Sequence, residues 1–183
     1  MMRHVVLLLA VLALPSVASA ADIAVPKTMS AFAGRYGAHF KNGDVTGDVY
    51  WSDDVVEIVP LNDMAAYVRA DLQFFNGHQC SISGVGRLEG EALVYHDTST
   101  PLPDQPVCIL RFERKDGQLI LDDGARSCGT YCGARGALGG TKLSLSSQRP
   151  IHYLPRLRAS PEYRSALKAW SGSPYNPEAR PTP

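Results

Sequence analysis

Residues 64–75, MAAYVRADLQFF, decide the fold class of this chain. From Val68 onward, apolar residues occupy every second position and charged or polar residues lie between them. This period of two is typical of a β-strand with one buried and one wet face, whereas a helix would scatter the charges through its apolar side. The apolar set is Val68, Ala70, Leu72 and Phe74, and the polar set is Arg69, Asp71 and Gln73.

The segments around this strand have the same character. They are short and rich in β-branched and aromatic residues, and they predict strands over residues 49–51, 55–59, 80–88, 92–96, 107–113, 118–121 and, to end the series, 138–145. Gly84 and Gly86 occupy inward positions of residues 80–88, which indicates a bend or a close approach of backbone.

Turn dipeptides separate these segments. They accept the positive φ angles of tight hairpins, so the strands form an antiparallel meander. About eight strands close into an up-and-down barrel, which removes unpaired edges, and a two-sheet sandwich is the alternative. We therefore predict an all-β fold. The dipeptides are Asn42-Gly43, Asn76-Gly77, Glu89-Gly90, Asp116-Gly117 and Asp123-Gly124.

The N-terminus has the features of a signal peptide. A basic start that contains Arg3 precedes an apolar run over residues 5–14, and Ala18-Ser19-Ala20 matches the cleavage site. The run is shorter than the roughly 20 residues that span a bilayer, so no membrane anchor is expected. Residues 1–20 are thus predicted to be removed, and the protein is expected in the periplasm or secreted.

The charge and length of the remainder favour a single soluble domain. Without residues 1–20, 163 residues remain with 17 Lys and Arg against 18 Asp and Glu, which gives no reason to expect nucleic acid or an anionic membrane surface as a partner. We predict a barrel domain over residues 21–149 and a C-terminal extension over residues 150–183, in a protein that is a monomer.

The C-terminal extension contains one helix signal and a proline-rich end. Ser160 as N-cap, Pro161 at the first helical position and Glu162 in the first turn predict a helix over residues 160–170. Its apolar face is expected to pack on the barrel, with a partner-binding helix as the alternative. The last ten residues, 174–183, are predicted to be extended and mobile. The apolar face consists of Tyr163, Ala166, Leu167 and Trp170.

All four cysteines of the chain lie after the predicted signal peptide, two of them within residues 127–136, SCGTYCGARG. Export favours disulfides, and a meander brings all four to one end of the barrel. The simplest pairing joins Cys80 to Cys108 and Cys128 to Cys132, and crossed pairings are also permitted. The spacing fits neither a pair of zinc knuckles nor a C-x-x-C redox motif, so no metal or cofactor is expected.

Two interpretations of this cysteine loop stay open. The first is a structural staple, worth about 2–4 kcal/mol per bridge. In the second, the stapled glycine-rich loop holds Tyr131 and Arg135 outward as a binding surface, with Arg126 and Thr130 beside them. Tyr and Arg are among the residue types that dominate binding hot spots.

The sequence lacks the motifs of common enzymes. It contains no G-x-S-x-G elbow, no H-E-x-x-H, no P-loop and no dinucleotide fingerprint, which favours a non-enzymatic protein. Residues 42–53, NGDVTGDVYWSD, place oxygen-bearing side chains at positions of a calcium loop, but Asn at position one and Asp at position twelve depart from it. A hairpin turning at Asn42-Gly43 is the preferred interpretation.

The phrase FAGRY, residues 32–36, opens a β-rich exported chain and is followed by the cysteine-bearing meander. This arrangement resembles the small bacterial lipocalin-like barrels of the periplasm, among them lysozyme inhibitors and immunity proteins against cell-wall-lytic toxins. The likeness covers roughly residues 31–145 and implies a protein partner, a lytic enzyme whose cleft receives a loop.

Two other functions are compatible with such a barrel. A small-ligand carrier would have spare interior volume lined by Phe74, Tyr95 and Phe112. A secreted hydrolase is the less favoured alternative, because glycosidase carboxylates leave no local sequence signature.

Overall fold

The computed structural model describes residues 28–99 and 103–179, so the predicted signal peptide lies outside the described residues. Eight antiparallel strands form one sheet in sequence order, which confirms the predicted all-β meander. The strands are β1 (Gly34–Gly43), β2 (Val49–Pro60), β3 (Ala65–Gln73), β4 (Gln79–Glu89), β5 (Ala92–His96), β6 (Ile109–Lys115), β7 (Gln118–Asp122) and β8 (Lys142–Ser144). The helices are α1 (Met29–Phe32), α2 (Leu154–Arg158) and α3 (Pro161–Ser171).

The sheet curves into a nearly closed barrel. The residues after β8 return to β1, where Arg149 exchanges two backbone hydrogen bonds of 2.8 and 2.9 Å with Arg35. Ser147 Oγ accepts a third hydrogen bond from the Gly37 amide at 3.2 Å. This closure pairs the outer edge of β1 near its start and leaves less strand edge exposed to other chains.

Large side chains fill the barrel interior. Every second residue of each strand points inward, as the period of two requires, and many of these side chains have no exposed surface. Each fully buried Leu or Phe contributes about 1.5–3 kcal/mol to stability. Phe74 packs against this core cluster, whose members include Tyr95, Phe112, Tyr36, Ile58, Leu72, Leu93, Leu110, Leu119, Leu121 and Leu143.

The C-terminal extension covers part of the outer face of β2, β3 and β4, at Val59, Tyr67 and Val85. Ser160 Oγ accepts a hydrogen bond from the Tyr163 amide at 3.1 Å, which confirms the predicted N-cap and helix. The Tyr163 ring lies 4.7 Å from the Tyr67 ring, measured between centroids. The helix thus docks on the barrel as predicted, in a second cluster of Val59, Ala65, Tyr67, Val85, Leu157, Tyr163 and Ala166.

A buried carboxylate also ties this extension to the barrel. Glu57 of β2 is 1% exposed, and its Oε1 accepts a hydrogen bond from the Tyr153 hydroxyl. Arg69 Nη1 lies 3.6 Å from Glu57 Oε2. Burial, reinforced by the hydrogen bond to Glu57, raises the pKa of Tyr153.

The end of the extension contacts the barrel and α3. Tyr175 stacks on His96 of β5 with 4.1 Å between ring centroids, and Arg87 Nη1 donates to the Tyr175 carbonyl at 3.4 Å. Asn176 Nδ2 donates to the Trp170 carbonyl at 3.2 Å. An aromatic ring and an amide supply these contacts, which proline content does not reveal, and the mobility of residues 174–183 stays a prediction. Residues 180–183 lie outside the described residues.

The turn between β1 and β2 lies later than predicted. Asn42 and Gly43 are paired in the ladder with Tyr50 and Val49, and the turn occupies residues 44–48. There the Asp44 carboxylate accepts hydrogen bonds from the Thr46 amide at 2.9 Å, the Thr46 hydroxyl at 2.6 Å and the Asp48 amide at 3.1 Å. The Asp44 carboxylate therefore helps to organise the turn, and these hydrogen bonds lower its pKa.

Two other predicted turns are confirmed. Asn76 and Gly77 have φ angles of 61° and 69°, and Asp116 and Gly117 have 51° and 73°, as tight hairpins require. Asp123-Gly124 instead opens a long loop over residues 123–141, because the chain crosses the barrel end before β8 begins. Within the described residues, no helix is both long and apolar enough to cross a membrane.

Buried tyrosines predict a loss of stability at alkaline pH. Burial raises the pKa of Tyr36 and of Tyr67 to about 12, from the usual value near 10. The contribution of these two tyrosines to the free energy of unfolding is fully present below about pH 10 and is lost as the pH rises toward 12, because their hydroxyls ionise first in the unfolded chain. We expect a lower urea midpoint at about pH 11 than at about pH 8. Tyr36→Phe should show a smaller drop, and an equal drop in that variant would contradict the assignment.

Candidate functional site

All four cysteines lie at one end of the barrel, as predicted, and this end is called the cysteine end below. Cys80 pairs with Cys132 and Cys108 pairs with Cys128. The simplest predicted pairing is therefore wrong, and one of the alternatives is present, with Cys108–Cys128 nested within Cys80–Cys132. The loop runs back across the barrel end, so that Cys132 forms an antiparallel bridge with Cys80. Ser127 lies beside the start of β6, where its Oγ accepts from the Ile109 amide at 3.1 Å.

Close packing in this loop requires one glycine in particular. A Cβ on Gly136 would lie 2.7 Å from Cys80 Sγ, a distance that no ordinary side chain tolerates. Gly129, by contrast, faces open space. Cys128 and Cys132, on either side of it, are not paired with each other. The disulfide between Cys80 and Cys132 therefore packs directly against loop backbone, which holds the loop on the barrel.

Tyr131 points toward the barrel, which contradicts the prediction that the loop holds it outward. Its hydroxyl donates a 2.5 Å hydrogen bond to Asp97 Oδ2, and the ring packs against the core. Burial raises the pKa of Tyr131, and the hydrogen bond to Asp97 adds to the effect. Burial also raises the pKa of the neighbouring Tyr95 far above its usual range. These groups form a closed hydrogen-bonded cluster that stabilises the loop.

The other three predicted binding residues have separate environments. Arg126 is exposed, and its Nη2 donates to the Gly136 carbonyl at 3.1 Å, which braces the loop from within. Thr130 is exposed at the loop surface. Arg135 is also exposed, with its guanidinium carbon 5.9 Å from the centroid of the Phe75 ring. Of the four, Arg135 offers a cationic group beside an exposed aromatic ring.

An exposed apolar surface on the β1–β2 hairpin was not predicted as a site. The side chains of Val45, Val49 and Trp51 are 70%, 70% and 60% exposed. The His39 ring stacks on Trp51 with 4.5 Å between centroids and 7° between planes, and Lys41 Nζ lies 5.7 Å from the Trp51 ring. The indole is therefore held in place by its neighbours while most of its surface faces solvent.

The β3–β4 turn joins this hairpin to the cysteine loop. Asn42 Nδ2 donates to the Phe74 carbonyl at 3.0 Å, and the Gly77 amide donates to the Tyr50 hydroxyl at 3.1 Å. Phe75, 44% exposed, lies between the hairpin and Arg135. Together these elements present what we call the cysteine-end patch, which consists of Val45, Val49, Trp51, Phe75 and Arg135.

A free strand edge accompanies the patch. The ladder between β2 and β3 ends at the pair Val55–Asp71, and in the part of the chain that the structure describes, residues 49–54 of β2 pair with no strand on that side. An edge of this kind pairs readily with an extended segment of another chain. The hairpin thus offers both exposed apolar side chains and backbone hydrogen-bonding groups.

Comparison with protein-family models, with curated proteins and with solved structures gives no match for this chain. The fold and the site define a class: a small, filled, disulfide-braced antiparallel barrel with an exposed apolar and cationic patch at one end. Among the described residues, no group of three or more His, Cys, Asp or Glu is placed to hold a metal ion.

Proposed function

We propose that this protein is a non-enzymatic periplasmic or secreted binding protein, and that it acts as an inhibitor or immunity factor against a cell-wall lytic enzyme of the lysozyme type. The cysteine-end patch carries the proposal. A patch at one end of the barrel that exposes Trp51, Phe75 and Arg135 has the composition of a protein-binding hot spot. Two disulfides of the kind found in exported proteins brace this end.

The rigidity of the patch supports binding at low entropic cost. Stacking on His39 fixes the Trp51 indole, and hydrogen bonds from Asn42 and Gly77 fix the hairpin against the β3–β4 turn. Side chains that are ordered before binding lose little freedom when a partner covers them. A preorganised patch of this kind suits an inhibitor that must hold an enzyme tightly.

Arg135 suits the chemistry of a lytic enzyme's cleft. In the described residues no carboxylate lies within ion-pair distance of its guanidinium, which rests on Phe75 instead. Glycoside hydrolases carry a pair of carboxyl groups at the scissile bond. A guanidinium that enters such a cleft forms charge-assisted hydrogen bonds with these groups, which are the strong class of protein hydrogen bonds. Tyr131, engaged by Asp97, is not part of this proposal.

The packed interior weighs against a small-ligand carrier. Such a carrier needs free volume inside the barrel, and the side chains expected to line it, Phe74, Tyr95 and Phe112, are packed in the core cluster. A ligand would have to displace buried aromatic side chains in order to enter. Binding at the surface of the barrel is therefore favoured over binding within it.

Binding of a purified lysozyme-type hydrolase tests the proposal. We expect Trp51→Ser and Arg135→Ala each to weaken binding by at least about tenfold, because truncation of a hot-spot residue costs about 2 kcal/mol or more. Met64→Ser is the matched control, since Met64 is 49% exposed at the opposite end of the barrel, and it should bind as the wild type does. Equal loss in all three variants would show that the patch is not the interface.

A further inference from the structure

The wall of the barrel is open between β4 and β5. Their ladder runs only from the pair Gly86–Tyr95 to the pair Glu89–Ala92, although β4 begins at Gln79. Beyond Tyr95 the chain departs from β4, and the Asp97 amide bonds the Cys108 carbonyl on the other side. In the described residues, the stretch 81–85 of β4 therefore has no strand partner on its β5 side.

Backbone groups of Ser83 and Val85 point to this open side. In an antiparallel sheet the hydrogen-bonding groups of successive residues alternate between the two neighbouring strands. The Leu88 amide donates to the Met64 carbonyl on the β3 side, so the backbone groups of the even-numbered residues of β4 point toward β3. The Gln79 carbonyl accepts from the Gly133 amide on the other side, so the backbone groups of the odd-numbered residues point toward the open edge.

The protein's own loop already uses one end of this edge. Gly133 donates its amide to the Gln79 carbonyl at 2.8 Å, and Cys132 forms an antiparallel bridge with Cys80. A short extended piece of chain is thus added to β4 directly before the open stretch. This pairing shows that the edge accepts an added strand in the geometry of a sheet.

Helix α3 forms the second wall of a groove along this edge. The cleft has a volume of about 740 Å³ and lies between β4, residues 95–99 and the helix. Its helical wall has the spacing of one helix face, with Glu162, Ser165 and Ala169 along it, and Ser173 lines the cleft just beyond the end of the helix. A strand edge beside a helix is the arrangement in which extended peptides bind by strand addition.

The polar groups of the groove are acidic or neutral. Glu162 lines it together with Asp97, whose carboxylate already accepts hydrogen bonds from the Tyr131 hydroxyl and the Ser99 amide, and no Lys or Arg is among its described lining residues. His96 also lines it, with Nε2 held 2.9 Å from Glu89 Oε1 while its buried Nδ1 has no hydrogen-bond partner. The acidic lining of the groove favours a ligand that brings positive charge.

We propose that this groove binds an extended, basic peptide segment of a partner protein, which pairs with β4 at Ser83 and Val85 and places a Lys or Arg side chain near Asp97 and Glu162. The site is separate from the cysteine-end patch, so the proposal does not depend on the proposed function. It adds a second interaction surface on the side of the barrel that α3 covers.

The test uses a labelled peptide of about six residues that alternates lysine with valine, and a counterpart with glutamate in place of lysine. In an extended strand such alternation directs one residue type to each face. We expect saturable binding of the lysine peptide by fluorescence anisotropy and at least about tenfold weaker binding of the glutamate peptide. Amide hydrogen exchange at Ser83 should slow when the lysine peptide is bound.

Two matched variants of α3 locate the binding. Ser165→Arg puts a cation and extra bulk into the groove and should weaken binding of the lysine peptide by at least about tenfold. Ser171→Arg makes the same change at an exposed position of the helix outside the groove and should leave the affinity unchanged. If Ser165→Arg does not fold, Glu162→Gln takes its place as a smaller change, and it should also weaken binding of the lysine peptide. Equal affinity for both peptides, or unchanged exchange at Ser83, overturns the proposal.

Discussion

Removal of the Cys80–Cys132 disulfide, by Cys80→Ala together with Cys132→Ala, is expected to lower the free energy of unfolding by about 4 kcal/mol. The bridge closes a loop with a sequence separation of 52 residues, and the constraint that it places on the unfolded chain grows with that length. This is a large fraction of the 5–15 kcal/mol typical of a domain, so unfolding should begin at markedly lower urea concentration.

The second bridge supplies the comparison. Cys108→Ala together with Cys128→Ala opens a separation of only 20 residues and should cost about 3 kcal/mol. Each of these double variants should contain no free thiol, because the remaining two cysteines stay paired. Peptide mapping of the wild-type protein without reduction should find the Cys80 peptide linked to the Cys132 peptide. A Cys80 peptide linked to the Cys108 peptide would indicate the simpler pairing instead.

Gly84→Ala is expected to destabilise the protein by about 2–3 kcal/mol. A Cβ on Gly84 would lie 2.1 Å from Tyr95 Cε2, and the ring has little room to move because Tyr95 is 8% exposed and packed in the core. Displacement of the ring would also disturb Tyr131 and Asp97, whose hydrogen bond lies beside it. The close approach that the sequence predicts at Gly84 is therefore that of the Tyr95 ring to the backbone of β4.

Gly129→Ala is the matched control for this variant. No atom lies within 4 Å of the position that its Cβ would take, so the same substitution should change stability by less than about 0.5 kcal/mol. Chemical denaturation of both variants gives the comparison. A cost for Gly84→Ala as small as that for Gly129→Ala would contradict the packing of Tyr95 against β4.

Strand β3 is the element that its sequence predicts most completely. Alternation of apolar and charged residues depends only on local geometry and on which face is buried, and both are properties of a few consecutive residues. The same reasoning predicts the N-cap Ser160, whose partner Tyr163 is three residues away. Strand β1, by contrast, was not predicted over Gly34–Gly43, because its glycines and polar residues weaken the alternation.

Features that depend on distant residues could not be predicted in this way. Tyr131 turns inward because Asp97, 34 residues away, accepts its hydrogen bond. The pairing of the four cysteines depends on the path of residues 123–141 across the barrel end, which no local pattern specifies. Val49 and Trp51 share the parity of Asp53 and so fall on the outer face of β2, but Glu57 and Val59 share that parity and are buried beneath the C-terminal extension, so parity alone does not identify Trp51 as exposed.

The proposed function is tested most directly by titration of a lysozyme-type hydrolase with the purified protein while lysis of cell walls is followed. We predict inhibition that saturates at one protein per enzyme, and a much weaker effect of a variant that combines Trp51→Ser with Arg135→Ala. Undiminished lysis at a large excess of the wild-type protein, with every lysozyme-type enzyme tried, would contradict the proposal.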